Sequence, residues 1–142
     1  HSEVVISEPL EMVFPFFANA VNLQRITPPW LNFEVTSPTP VEMKIGQTID
    51  YRLKVRGLPV RWRSEITEWD PPHRFVDEQL RGPYKVWHHE HTFVEREGKT
   101  VCQDDVVYAV WGGPLVNRLL IEPDVKRIFA YRRKRLLEIF PS

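Results

Sequence analysis

The sequence predicts an α+β fold: a curved antiparallel sheet of six to seven strands wrapped around one long C-terminal helix, with two short helices after the first strand. Three observations predict it. From residue 47 to 110 apolar and polar residues alternate between short turns, as in an antiparallel meander. From about Asp124 to Phe140 the period changes, and Val125, Ile128, Phe129, Leu136, Ile139 and Phe140 recur at three- and four-residue steps. Between the first strand and the meander, residues 12–27 are apolar with helical spacing.

The elements follow in order. "EVVISEPL" (3–10) opens with a short β-branched run and ends at Pro9, which fits a first strand. "MVFPFFANAVNLQRIT" (12–27) is broken by Pro15 and Asn19 and reads as two short helices, with Pro15 in a first turn where its missing N–H costs no hydrogen bond. "PPW" (28–30) stops the second helix. "FEVTSPTP" (33–40) is strand-like and then turns. "QTIDYRLKVRGLPVRWRSEITEWDPP" (47–72) alternates around "GLP", a hairpin signal. Residues 74–84 and 85–110 continue the alternation, with turns at Gly82-Pro83 and Glu97-Gly98-Lys99. A shorter helical turn at 114–121 precedes Pro123 and the terminal helix.

A wide antiparallel sheet has one face to bury, and here one long helix must cover it. A strongly twisted sheet curls around that helix. One helix does not fill so wide a concavity, so an internal cavity is expected.

Bulk properties narrow the function. The chain of 142 residues fits a single domain, 1–142, with a core large enough to need no staples. Nineteen basic and nineteen acidic residues cancel, so no global field draws nucleic acid or an anionic membrane. Cys102 is the only cysteine, which rules out an intrachain disulfide and gives no sign of secretion. No apolar run approaches the roughly 18–20 residues of a membrane span. The chain opens directly on a strand-like segment, so no leader peptide is expected, and a cytoplasmic location is. His1 is set aside as a ligand.

The element order, with "NLQRITPPWLNFEV", "IDYRLKVRGLPVRW", "FVDEQLRGPYKVWHHEHTF" and "DDVVYAV", resembles the SRPBCC superfamily. These are the START-like, helix-grip proteins related to pollen allergens and to polyketide cyclases. The likeness extends over nearly the whole chain and is nearest to the bacterial stand-alone, polyketide cyclase/dehydrase-like group. The resemblance implies a helix-grip fold with a cavity, no bound metal, and functions ranging from lipid carriage to aromatase/cyclase chemistry.

Alternation assigns the inward faces. Trp87, His89, His91 and Phe93 share one side of a strand, Phe75, Asp77 and Gln79 of its predecessor, and Thr100, Cys102, Asp104, Val106 and Tyr108 of its successor. Arg132 lies on the apolar face of the terminal helix, four after Ile128 and four before Leu136, and requires a partner; Asp77 or Asp104 could supply it. The other basic residues of "RRKR" (132–135) belong to a solvated face. Cys102 reads as a small buried residue.

The two histidines admit four readings. They are members of a satisfied buried network. They form the polar end of a ligand pocket together with Asp77, Gln79, Asp104 and Arg132, walled by Trp30, Trp62, Phe75, Trp87, Phe93 and Tyr108. They bind a metal with Asp77 or Asp104, since His-x-His on one strand face sets Cα atoms about 7 Å apart. Or His89 or His91 acts as a general base beside Asp104, with Tyr108 or Arg132 stabilising an enolate oxygen.

The reading favoured is binding of a small apolar or aromatic molecule, lipid or polyketide-like, without metal or cofactor. A cyclase/dehydratase using His89, His91 and Asp104 is the alternative. A protein-interaction module is a third, and it requires a contiguous exposed apolar patch. Neither nucleic acid nor integral membrane is an expected partner, and the oligomeric state is open.

Overall fold

Seven strands pair antiparallel in the order β1-β7-β6-β5-β4-β3-β2. They are β1 (Ser2–Ile6), β2 (Glu34–Val35), β3 (Thr48–Val55), β4 (Leu58–Asp70), β5 (Arg74–Arg81), β6 (Val86–Arg96) and β7 (Lys99–Ala109). The structure is a computed structural model describing residues 1–38 and 41–141. Between β1 and β2 lie helix α1 (Leu10–Phe17) and two 3-10 helices, Ala20–Ile26 and Pro29–Leu31. After β7 come α2 (Gly113–Val116), a π-helical segment Asn117–Ile121, and α3 (Glu122–Ile139).

Turn chemistry sets the register. At the β3–β4 turn Arg56 and Gly57 have φ of 51° and 79°, and at the β6–β7 turn Glu97 and Gly98 have 54° and 77°. Two successive left-handed residues make the two-residue turn whose twist matches the strands it joins. Val55 therefore faces Leu58, and Arg96 faces Lys99. The first turn falls one residue before "GLP", with Leu58 and Pro59 already in β4. A bulge between Ile66 and Glu68 shifts the parity of β4. Trp69 thereby turns inward, onto Phe14 and Phe75.

Other boundaries differ from expectation. Pro9 precedes α1, so Pro15 sits inside the helix and not in its first turn. Pro15 is exposed, where the unbonded Glu11 carbonyl is open to water. The segment predicted as a strand over 33–40 supplies only Glu34–Val35, and Thr39 and Pro40 lie outside the described residues. The helical turn before Pro123 is not separate. The backbone stays helical from Gly113 to Ile139, and the wider π turn accommodates a proline that has no N–H to give. The Leu120 carbonyl in that stretch accepts from Arg56 Nη2 at 3.3 Å.

The core fills only part of the concavity. From α1, Phe14 meets Phe93 edge-on at 5.4 Å, and Phe17 meets the same ring at 5.0 Å. Val13, Phe16 and Phe75 are buried with them, and Leu136 and Phe140 of the chain's last turns close the cluster. Each such side chain stabilises the fold by about 1.5–3 kcal/mol on burial. Toward the opposite end of the sheet α1 no longer covers the concavity, and a cavity lined in part by Leu23 and Ile26 of the following 3-10 helix remains.

Candidate functional site

The cavity has a volume of about 460 Å³ and lies between the sheet and α3. Its walls are apolar and aromatic: Tyr51 and Leu53 from β3, Trp62 from β4, Trp87 from β6, and Ile128 and Phe129 from α3. Trp62 meets Trp87 edge-on at 5.5 Å, and its Nε1 donates to Ser64 Oγ at 2.9 Å. Trp30 stands at the rim, half exposed, with Arg127 over its ring at 5.1 Å.

One end of the cavity is polar. His89 and His91 project inward two residues apart on β6, with ring centroids 3.7 Å apart and planes 22° from parallel. Phe75 continues the stack on the far side of His91 at 4.1 Å. The register puts Asp77 of β5 directly opposite His89, and Asp104 of β7 directly opposite His91. The bonds run diagonally: His89 Nε2 to Asp104 Oδ1 at 2.7 Å, and His91 Nε2 to Asp77 Oδ2 at 2.5 Å. Arg132 reaches down from α3 and donates from Nη2 to Asp104 Oδ1 at 3.1 Å.

The electrostatics follow from burial and pairing. Burial by itself would raise both carboxyls. For Asp104 the Arg132 charge and the bond from His89 outweigh it, and for Asp77 the bond from His91 does, so both lie below the ordinary aspartate range. Both are therefore anions that accept, and the Nε2 of each ring is the donor. Burial, reinforced by His89 alongside, pushes His91 down to about 4, so its imidazole is neutral near pH 7. His91 Nδ1 then carries a lone pair; it lies 3.5 Å from Asp104 Oδ1 and has no hydrogen-bond partner among the described residues. Arg132 Nε is likewise buried without an acceptor.

Asp77, His89 and His91 each offer a ligand atom within 4.8 Å of the others, near the spacing of a two-His-one-carboxylate set. The fit is poor. Stacked rings aim their nitrogens side by side, where a metal needs them convergent, and the Arg132 guanidinium already occupies the same cluster.

Residues 6–130 match the family described as polyketide cyclase / dehydrase and lipid transport. The chain belongs to this family. No curated protein matches it. Among solved structures, it is similar to the Zhui aromatase/cyclase from Streptomyces sp. R1128, at 20% identity and TM-score 0.70, over 96% of this chain and 89% of that one. It is also similar to ginseng major latex-like protein 151 from Panax ginseng, at 10% identity and TM-score 0.71, over 99% and 95%. These two share the fold. A nucleoside-diphosphate sugar epimerase from Corynebacterium glutamicum matches at 26% identity and TM-score 0.71, over 97% of this chain and 28% of that longer one. The helix-grip fold that the sequence resemblance implies is the fold found.

Within this member of the polyketide cyclase/dehydrase family, the site residues read from sequence separate into two groups. Trp30, Trp62, Asp77, Trp87, His89, His91 and Arg132 line the cavity. Phe75, Gln79, Phe93, Asp104 and Tyr108 do not line it. Phe75 and Phe93 are core, packed under α1 because the sheet there is covered. Asp104 lies behind the imidazoles, 7% exposed, where it anchors His89 and Arg132. Gln79 holds the β5–β6 turn, donating from Nε2 to the Tyr84 carbonyl at 2.7 Å and accepting from Tyr84 N–H at 3.0 Å. Tyr108 packs on Tyr84 and Trp87 beyond the cavity.

Sequence reasoning passed over Tyr51, Leu53, Ser64, Tyr84, Ile128 and Phe129 as cavity wall. Alternation within "IDYRLKV" was the available signal for Tyr51 and Leu53, and the helical step carried Ile128 and Phe129. Cys102 is buried, which pushes its thiol up to about 12 and leaves it unreactive.

Proposed function

We propose that the protein binds a small, largely apolar or aromatic molecule between its sheet and α3, with the ligand's polar end turned toward His89, His91, Asp77 and Arg132. The observation that carries this reading is the cavity of about 460 Å³, apolar along its walls and polar at one end. Ligand pockets commonly have about 300–1,000 Å³, mostly apolar lining and a few convergent polar groups. The family description and the aromatase/cyclase among its structural neighbours are consistent with a lipid or polyketide-like ligand.

Native mass spectrometry of gently purified protein, set against the denatured mass, tests the reading together with titration of an aromatic fluorophore against the cavity tryptophans. A co-purifying small molecule, or saturable probe binding that a bulky residue at Ile128 abolishes, is the expected result. Absence of both a co-purifying cargo and saturable probe binding would overturn it.

A second reading, acid–base catalysis of the cyclase/dehydratase kind, has one specific support: two buried histidine–carboxylate pairs at the wall of a cavity. A histidine oriented by a carboxylate suits proton abstraction near neutral pH. Turnover of a polyketide-like substrate that disappears in folded His89→Ala would separate it from simple carriage.

A further inference from the structure

The balanced net charge conceals a lopsided surface. Segments 52–63, 79–88 and 107–121 contain arginines and lysines and no aspartate or glutamate. The fold brings these three segments to one end. Arg63 pairs with Arg81 across β4 and β5, Lys85 N–H donates to the Ala109 carbonyl, and Arg56 reaches Leu120 and Asp124 across the mouth of the cavity. Lys54, Arg61, Arg81, Lys85 and Arg118 are all exposed there, and none forms a salt bridge among the described residues.

The same end is apolar where it should not be. Leu58 is 69% exposed, Trp111 66%, Leu115 67% and Leu119 63%, with Leu120 beside them. Scattered exposed leucines are ordinary, but a group of them on one turn of helix and the facing hairpin marks a surface that meets something apolar. Leu115 and Leu119, four apart, project outward from the helical stretch with Arg118 between them, while Val116 and Asn117 turn partly inward. Lys85 sits 5.4 Å from the Trp111 ring centroid, which keeps an amphipathic ring and a cation together at the rim.

We infer that this end docks on an anionic lipid surface, with the leucines and Trp111 entering the acyl boundary and the unpaired cations meeting the headgroups. Apolar anchors beside long-stemmed cations are what an interface of that kind selects. A nucleic acid would use the cations and leave the leucines in water. A purely acidic protein surface would likewise leave Leu115 and Leu119 in water. The cavity mouth, between the β3–β4 turn and the start of α3, opens within the same rim, so a docked protein would face its cavity to the bilayer. Docking needs only the rim, and it stands or falls separately from whether the cavity holds a ligand.

Cosedimentation with phosphatidylcholine vesicles containing about one-third phosphatidylglycerol, against pure phosphatidylcholine vesicles, is the test. Binding to the anionic vesicles at least tenfold tighter, weakened severalfold in 0.5 M salt, is expected. Leu115→Ser/Leu119→Ser should lose tenfold or more with an unchanged melting temperature, and Arg61→Glu/Arg118→Glu should lose the preference for anionic lipid. Failure to bind either vesicle would overturn the inference. So would leucine variants that bind as well as the parent, duplex DNA competing as well as anionic vesicles, or a dimer that the leucine changes dissociate.

Discussion

His89 and His91 stack with their ring centroids 3.7 Å apart, and each reaches past its direct cross-strand neighbour to the carboxylate opposite the other. This crossing links β5, β6 and β7 through side chains as well as backbone. It also leaves Asp104 as the one carboxylate shared between an imidazole and the Arg132 guanidinium of α3.

Asp104→Ala is therefore expected to destabilise the protein by about 3–5 kcal/mol, because it strands a buried arginine and a histidine donor at once. Arg132 is 7% exposed and has no alternative salt-bridge partner among the described residues. Asp104→Asn keeps an acceptor oxygen and should cost less. Denaturant unfolding monitored by tryptophan fluorescence measures both, and a loss below 1 kcal/mol for the alanine variant would show that the cluster does not hold α3 to the sheet.

Acid should weaken the fold from a higher pH than carboxylates alone would dictate. His91 titrates near 6.5 when unfolded and near about 4 in place. Between those values the unfolded chain holds a proton that the folded one does not, so lowering the pH favours unfolding. Asp77 and Asp104 act in the same direction further down: their contribution is present above the unfolded value and is lost as pH falls through the lower folded values. Stability should thus be greatest above about pH 6.5 and should decline below it, with His91 contributing at most about 1.4 kcal/mol per pH unit in that window. Melting curves from pH 8 to 4 check this against His91→Gln, whose slope should be shallower by that one proton. Equal slopes would be inconsistent with a neutral, buried His91.

The parity of β5, β6 and β7 was legible in the sequence because strict alternation in "FVDEQL", "VWHHEHTF" and "KTVCQDDVVYA" fixes which side chains share a face. Alternation assigns a face and not a depth along the strand. That is why Phe75 and Phe93, on the correct face, lie under α1 in the core, while Trp87 and His89 reach the cavity. The bulge that turns Trp69 inward had no sequence signal of its own, and neither did the π turn before Pro123. The basic end escaped notice for a different reason: a total of zero describes the chain and not the arrangement of its charges.

Gly82 is fixed by a neighbour and not by its backbone angle. A Cβ there would fall 2.5 Å from Gln79 Oε1, the atom that accepts from Tyr84 N–H. Gly82→Ala should cost about 1–3 kcal/mol by forcing that clamp open. In a Gln79→Ala background the same change should cost almost nothing, a coupling that a double-mutant cycle reads directly. Additive costs would mean that the turn is held by something else.

The sharpest test of the cavity uses two ligands that differ by one group. Naphthalene and 2-naphthol are nearly equal in apolar area, so burial against Leu53, Trp62 and Phe129 should favour them equally. The hydroxyl alone can hydrogen-bond to the polar end of the cavity, where Asp77, His89, His91 and Arg132 line the wall. A net gain of about 0.5–1.5 kcal/mol per hydrogen bond predicts that the naphthol binds up to roughly tenfold tighter. Naphthoate should not gain in the same way, because its charge would enter a cluster in which two carboxylates already face a single guanidinium. In His91→Leu the naphthol advantage should shrink toward parity while naphthalene binding persists. In Ile128→Trp, where the indole would occupy the cavity, both should be lost with the fold intact. Calorimetric titration of the three compounds against the parent and the two variants gives the full comparison, and naphthoate binding tightest would reverse the assignment of polarity at that end of the cavity.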